Sequence, residues 1–266
     1  ATAFEYFDGS SWLAVPVGGV SIAAGSTSVQ VRVATSDDFA AEGDETFALT
    51  ATVNGANTVN ASASGTATIS DDTDATTVSL TATPSVAEGG SIVYTATLTT
   101  AAVTPITGTL AGGATITIAA GATSGSTPVL APSDDVYIDA GSVSATIAST
   151  SGGGFEAVTI SPASATTSIT DTIDTTTATL TATPSVAEGG TITYTVSLSA
   201  PVTSSPVTVT LANGQTITIP VGASSGTTTG TAPDNVFTGG GSVGNNIASI
   251  SGGNFEQLTP NTAPVT

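Results

Sequence analysis

The chain has no cysteine, no histidine and no methionine, and Arg32 is its only basic residue. Each absence closes off a class of chemistry. Without cysteine no disulfide can staple the fold, and redox compartment leaves no mark on the sequence. Without histidine or cysteine the commonest nucleophiles, general bases and metal-ligand sets are gone. Without lysine there is no basic patch to neutralise a phosphate backbone, so nucleic acid is excluded as a partner. An anionic bilayer would repel a chain whose formal charge is −19. No run reaches the ~20 apolar residues that span a bilayer, so no membrane insertion is expected.

What fills the chain instead is Thr, Ser, Ala, Val and Gly, with charged residues at only 8%. Positive mean hydropathy and abundant β-branched side chains favour packed strands over disorder. Apolar and polar residues alternate with period two over 76–82 and 91–98, the pattern of half-buried strands. Between them, Pro84 and Ala87-Glu88-Gly89-Gly90 carry turn chemistry. Further strands are expected near 106–111, 114–119, 125–131, 141–149 and 165–170, seven in all, with no helical apolar stripe anywhere. The spacing is that of an antiparallel β-sandwich.

The strongest signal is repetition. Leu-Thr-Ala-Thr-Pro-Ser-Val-Ala-Glu-Gly-Gly at 80–90 returns letter for letter at 180–190. Ser151-Gly152-Gly153-Gly154-Phe155-Glu156 is answered by Ser251-Gly252-Gly253-Asn254-Phe255-Glu256, and Asp71-Asp72-Thr73-Asp74 by Asp171-Thr172-Ile173-Asp174. A period of about one hundred residues suits one sandwich per repeat and is too long for a solenoid. The expected division is 1–74, 75–174 and 175–266. The first repeat would lack its opening strands, because Val20-Ser21-Ile22-Ala23-Ala24-Gly25 aligns with Ile116-Thr117-Ile118-Ala119-Ala120-Gly121. The third would lack its last strand, because the chain stops before a counterpart of Ser168-Ile169-Thr170-Asp171. An excerpt from a longer repetitive chain fits both.

All acidic residues except Glu5, Asp8, Glu156 and Glu256 fall in three kinds of place. Glu88 and Glu188 follow the first strand of their repeats. Asp37, Asp38, Glu42, Asp44 and Glu45, then Asp134, Asp135 and Asp139, then Asp234 lie between strands five and six. Asp71, Asp72, Asp74, Asp171 and Asp174 follow the last strand. In an antiparallel sandwich these turns share a pole, so the acids are expected to converge where the chain passes to the next repeat. Two carboxylates ~4 Å apart repel by about 4 kcal/mol at an effective dielectric of about 20. With no basic side chain to answer them, a hard divalent cation is the natural counterion. Ca²⁺, which takes roughly six to eight oxygen ligands, suits flexible loop carboxylates best.

The expected ligands are Asp37, Asp38, Glu42, Asp44, Asp71, Asp72, Asp74, Glu88, Asp134, Asp135, Asp139, Asp171, Asp174, Glu188 and Asp234. Asp74 and Asp174 lie in the linkers, so an ion there would lock one repeat against the next. The competing reading makes these acids Asx-turn residues on solvated loops. In the third repeat Asn235 and Gly239 stand at the positions of Asp135 and Asp139, so weak or no calcium binding is expected there.

Asp37-Asp38-Phe39-Ala40-Ala41-Glu42-Gly43-Asp44-Glu45-Thr46-Phe47, followed by Gly65-Thr66-Ala67-Thr68-Ile69-Ser70-Asp71-Asp72, resembles the Calx-β motif. That resemblance implies a calcium-binding sandwich with acids in these two stretches. The next two repeats resemble the Ig-like extender repeats of large RTX-type biofilm adhesins of Gram-negative bacteria, the large adhesion protein type. The likeness is carried by Thr83-Pro84-Ser85-Val86-Ala87-Glu88-Gly89-Gly90, Ala131-Pro132-Ser133-Asp134-Asp135-Val136-Tyr137 and Thr170-Asp171-Thr172-Ile173-Asp174-Thr175-Thr176. It implies an all-β fold of tandem Ig-like antiparallel β-sandwiches in an extended array. It further implies a secreted, cell-surface protein exported by type I secretion, whose repeats project a terminal binding domain.

Four functions compete. The leading one is a calcium-stiffened spacer, partnered by neighbouring repeats of the same longer chain. A carbohydrate-binding module is the second, with Phe4, Tyr6, Phe7 and Trp12 around the Asp8-Gly9 turn as sugar-stacking candidates; against it, aromatics in a hairpin usually pack their own domain. An enzyme would have to work with carboxylates alone, and repeated turn acids suit structure better than an acid–base pair. Self-association into an extracellular filament, matrix or surface layer through donated strands is the fourth.

Overall fold

The computed structural model describes residues 3–53, 62–236 and 239–266. Every regular element among them is a β-strand. The chain divides into two compact units. One comprises Ala1–Leu80, Ala96–Ser126 and Ile147–Ala163; the other Thr81–Thr95, Thr127–Thr146 and Ser164–Thr266.

In the second unit the repeat that opens at Thr175 is a sandwich. One sheet runs Ser225–Thr231, Thr191–Leu198, Thr175–Ala182, Gln257–Pro260, and the other Thr216–Ile219, Val207–Leu211, Ile247–Gly252. Strict alternation explains why. Ala178, Leu180, Ile192, Tyr194, Val196 and Leu198 face inward from the first sheet, and Val207, Val209, Leu211, Ile217, Ile219 and Ile247 from the second, in a single buried cluster. Thr177, Thr179, Thr181 and Thr191 take the alternate, exposed positions. β-branched residues suit both faces of a pleat, which is why so short an alphabet suffices. The same unit holds a sheet of Gly141–Ala145, Ala165–Thr170 and Ser85–Ala87.

The first unit repeats the pattern. Thr115–Ile118, Ile106–Leu110 and Ile147–Gly152 form one sheet, with Ile106, Leu110, Ile116, Ile118 and Ile147 buried. Nearer the start of the chain lie a small sheet of Trp12–Ala14, Glu5–Phe7 and Val31–Arg32, and a hairpin of Glu45–Thr52 with Ser62–Ile69.

Pairing departs from the sequence reading in four places. Ser85–Ala87, read as part of a turn, is a strand parallel to Ser168–Thr170. The single strand expected over 141–149 is two: Gly141–Ala145 pairs with Ala165–Ile169, and Ile147–Gly152 pairs with Ile106–Leu110. A further strand, Ala157–Ile160, runs parallel to Ala75–Ala82, and its counterpart Gln257–Pro260 runs parallel to Thr175–Ala182. In the third repeat the strand that repetition predicts over 242–250 starts only at Ile247; Asn245 makes one bridge to Val265, at the positions of Ala145 and Ala165.

Glycine makes the parallel closure possible. Gly252 has φ +91, and a Cβ there would come within 2.2 Å of the Pro206 carbonyl oxygen. Gly152 has φ +83 and would meet the Pro105 carbonyl at 2.4 Å. Only glycine lets the chain turn this tightly against its neighbour. The turn delivers Phe155 and Phe255 into buried positions and starts the parallel strand two residues later.

The sandwich reading makes a direct stability prediction. Ile219→Ala, at a fully buried site, should cost about 2–5 kcal/mol in urea unfolding. Val221→Ala, which is half exposed, should change the midpoint by less than about 0.5 kcal/mol.

Candidate metal centres

The parallel closures place a glutamate beside each linker. Register Ala75↔Ala157 puts Glu156 next to Asp74, whose backbone N–H donates to Glu156 Oε2. Register Thr175↔Gln257 does the same one period on, and the Asp174 N–H donates to Glu256 Oε2 at 2.6 Å.

The same Gly-x-Phe-Glu loops are gripped from the other side by an Asx turn. Asp38 Oδ1 accepts the Ala40 N–H at 2.8 Å, Ala40 bridges to Phe155, and the Ala41 N–H donates to the Gly154 carbonyl at 2.9 Å. In the second unit Asp135 Oδ1 accepts the Tyr137 N–H at 2.8 Å, and Tyr137 bridges to Phe255 with ring centroids 5.4 Å apart. There the Ile138 N–H donates to the Asn254 carbonyl at 2.9 Å and the Glu256 N–H to the Val136 carbonyl at 3.0 Å. Asp38 and Asp135 therefore act as turn residues that hold one repeat to the next.

The first carboxylate group is Glu88, Asp171 and Glu256, whose nearest oxygens all lie within 4.8 Å of one another. Glu88 is 8% exposed, and Asp171 and Glu256 are half-buried. Glu88 Oε2, Asp171 Oδ1 and Glu256 Oε1 are buried without a hydrogen-bond partner. A hydrogen bond with Asp139 pushes the Glu88 carboxyl up to about 7, helped by burial and by the charges of Asp139, Asp171 and Asp135. Acids from all three sequence stretches therefore meet here. The Glu88 N–H donates to the Thr170 carbonyl at 3.0 Å and the Gly89 N–H to the Pro132 carbonyl at 2.7 Å, which pins the turn. Asp134 lies beside Gly89 and accepts the Thr172 hydroxyl at 2.5 Å. Buried carboxylate oxygens without donors are costly unless a cation serves them. An all-oxygen, anionic donor set of this kind fits a hard divalent ion such as Ca²⁺ and not a soft one.

The second group, Asp37, Asp72 and Asp74, meets the same 4.8 Å limit but is more hydrated, with only Asp74 half-buried. The Asp72 charge, a hydrogen bond with Asp72 and the Asp74 charge raise the Asp37 carboxyl. Glu42 is raised chiefly by Asp38 and then Glu45, and its N–H donates to Asp71 Oδ2 at 2.8 Å. Asp44 is exposed and belongs to neither group. Asp174 contributes its backbone N–H, described above, and is not a member of either group.

In the third repeat Asp234 lies beside Gly189 as Asp134 lies beside Gly89, but Glu188 is exposed where Glu88 is buried. Among the described residues no third group of three carboxylates forms there. Glu156 and Glu256 escaped the sorting of acids by turn. The signal that could have found them is the repeated Ser-Gly-Gly-x-Phe-Glu, which keeps its glutamate while the residue at 154 and 254 changes. Around Trp12, the Arg32 guanidinium lies 4.3 Å over the ring and bonds Glu5 at 2.7 Å, and Phe7 packs at 5.4 Å. The chain's own cation thus covers one face of the Trp12 indole.

Glu88 sets the sign of a pH dependence. In chelator the folded chain holds a proton on Glu88 up to about pH 7 that the unfolded chain releases near its ordinary value of 4.5. The folded state thus binds more protons across that window. Stability should be full below about pH 4.5 and decline as pH rises through about 7. Glu88→Gln should flatten this decline, read from urea midpoints across that range.

Residues 74–172 and 174–266 each match the LapA domain. No curated protein sequence matches the chain. Among the described residues no helix is long and apolar enough to cross a membrane. An all-β fold with two tandem copies of an adhesin domain describes a segment of a cell-surface protein, one repeat beside another. With two domain matches covering most of its length, this chain belongs to the LapA domain family of bacterial adhesins.

Proposed function

We propose that this chain is an extender segment of a secreted adhesin, stiffened by Ca²⁺ where one repeat meets the next and serving adhesion and biofilm formation. The observation that carries the reading is the trio of buried, unpartnered oxygens on Glu88, Asp171 and Glu256. A divalent ion there would remove the mutual repulsion of these acids and supply the missing partner for each oxygen. Glu88 and Asp171 would hold it from the second repeat and Glu256 from the third, with Asp139 close enough to Glu88 to complete the shell. Asp37, Asp72 and Asp74 would hold a more hydrated ion at the preceding junction, in a first repeat of Calx-β type. The repeats on this reading are 1–74, 75–174 and 175–266.

The physics favours a role outside the cell. Extracellular calcium-binding modules work at about 0.1–1 mM ion, levels a calcium-poor cytosol does not reach. A chain whose junctions carry unneutralised acids stays loose during export, including export by type I secretion, and sets once calcium is met. A stiff, charge-neutralised stalk is what projecting a distant binding domain requires.

Replacing chelator with about 1 mM Ca²⁺ should raise the melting temperature by about 4 °C or more, from the ligand-binding term and the entropy of a domain this size. Small-angle scattering should show the particle lengthen and its flexibility fall. Identical melting and scattering in the two buffers would sink the proposal.

A further inference from the structure

The geometry points to a site where a second copy of this chain adds by β-strand pairing. Residues 183–188 in the third repeat of one copy seat, as a short parallel strand, on the free edge of Ser62–Ile69 in the next copy.

The second repeat supplies the template. Gly141–Ala145 and Ala165–Thr170 pair antiparallel, and Ser85–Ala87 closes the outer edge of the latter. The parallel register is Ser168↔Ser85, Ile169↔Val86 and Thr170↔Ala87. The Ser168 N–H donates to the Pro84 carbonyl and the Glu88 N–H to the Thr170 carbonyl, both at 3.0 Å. The Thr170 hydroxyl donates to the Val86 carbonyl at 3.4 Å.

The first repeat has the same pair without the third strand. Glu45–Thr52 and Ser62–Ile69 pair antiparallel, and the ladder ends at Ile69 as the other ends at Ile169. Among the described residues their sheet holds only these two strands. Thr68-Ile69-Ser70-Asp71 stands where Ser168-Ile169-Thr170-Asp171 stands one period on. Ser70 keeps the hydroxyl of Thr170, whereas Ala67 lacks that of Thr167, which donates to the Thr83 carbonyl at 2.7 Å. Beside this edge Ile69 lines an apolar groove with Phe47, Leu49 and Val33.

The third repeat has the strand without the edge. Residues 183–188 are identical to 83–88, yet 185–187 form no strand. The Pro184 carbonyl and the Glu188 N–H, counterparts of two bonded groups, have no partner among the described residues. Glu188 is exposed where Glu88 is buried. Val186 packs against the buried cluster of its own sandwich, which holds the segment in place. An open edge is a template for an added strand. The strand that fits it is this chain's own, so the occupant is a second copy. The two surfaces differ, so the contact is heterologous and each added copy offers a fresh edge. Parallel pairing over three residues, between two acidic chains, makes each contact weak and dependent on concentration.

Sedimentation of the full chain at rising concentration, in about 0.15 M NaCl to screen repulsion, should show the mean mass climbing past one chain of 25.4 kDa. Hydrogen exchange on the same samples should slow at 68–70 and 186–188 as the mass rises. Excess peptide Thr-Pro-Ser-Val-Ala-Glu-Gly-Gly should cap the edge and return the mass to one chain. The same peptide with proline in place of its valine has no N–H to give there and should leave the mass raised. Val186→Pro in the chain should hold it at one copy.

A chain that stays single at every concentration overturns the inference and leaves the calcium reading intact. Association that survives both the valine peptide and V186P also overturns it, because another surface then carries the contact. Should V186P fail to fold, the two peptides decide on the unsubstituted chain: equal effects overturn the inference, and release by the valine peptide alone upholds it.

Discussion

Like charge held close without an opposite charge is the constraint around which this molecule is arranged. Twenty acidic residues face one arginine, and that arginine is committed to Glu5 and to the face of Trp12. Everywhere else the acids must be diluted by water or answered by something the chain lacks. Most turns choose water. At Glu88, Asp171 and Glu256 the fold instead withdraws carboxylate oxygens from solvent and leaves them unpartnered. Desolvation and mutual repulsion both penalise the charged form there, and the raised carboxyl of Glu88, bonded to Asp139, is the symptom. On the proposed reading a divalent cation would turn the same geometry from a liability into a joint.

The backbone achieves this with few devices. A glycine pair turns the chain against the preceding strand, a buried phenylalanine anchors the loop, and a parallel strand follows in fixed register. Register is unforgiving, because a slip of one residue would send every side chain to the opposite face. Holding Gln257 opposite Thr175 thus fixes Glu256 opposite Asp174. The Asx turns at Asp38 and Asp135 grip these loops from the neighbouring repeat, so for these two acids the Asx-turn reading holds. Some acids organise backbone, and others gather in groups.

Much of the fold is legible in the order of the residues. Alternation at 91–98 and 191–198 predicts half-buried strands, and those strands bury Ile92, Tyr94, Ala96, Leu98 and their counterparts. The letter-for-letter return of 80–90 at 180–190 predicts a repeated sandwich. Parallel pairing is not legible in this way. A short strand such as Ser85–Ala87 or Ala157–Ile160 shows too few residues for a period, and its partner lies far along the chain. The break of 141–149 into two strands is hidden for a similar reason, since alternation says which face is buried and not which sheet a strand joins.

The candidate site divides along the same line. Sequence alone determined that acids concentrate in particular turns, that no basic residue can balance them, and that the pattern recurs about every hundred residues, because composition and repetition are properties of the letters. Only the tertiary structure decided which acids meet. It drew Glu256 in from the following repeat, left Asp44 and Glu188 exposed, and gave Asp174 a backbone role. The reason is geometric. Proximity of a few ångströms between residues 88, 171 and 256 depends on strand register and on a positive-φ glycine turn, and local residue patterns do not encode either across such separations.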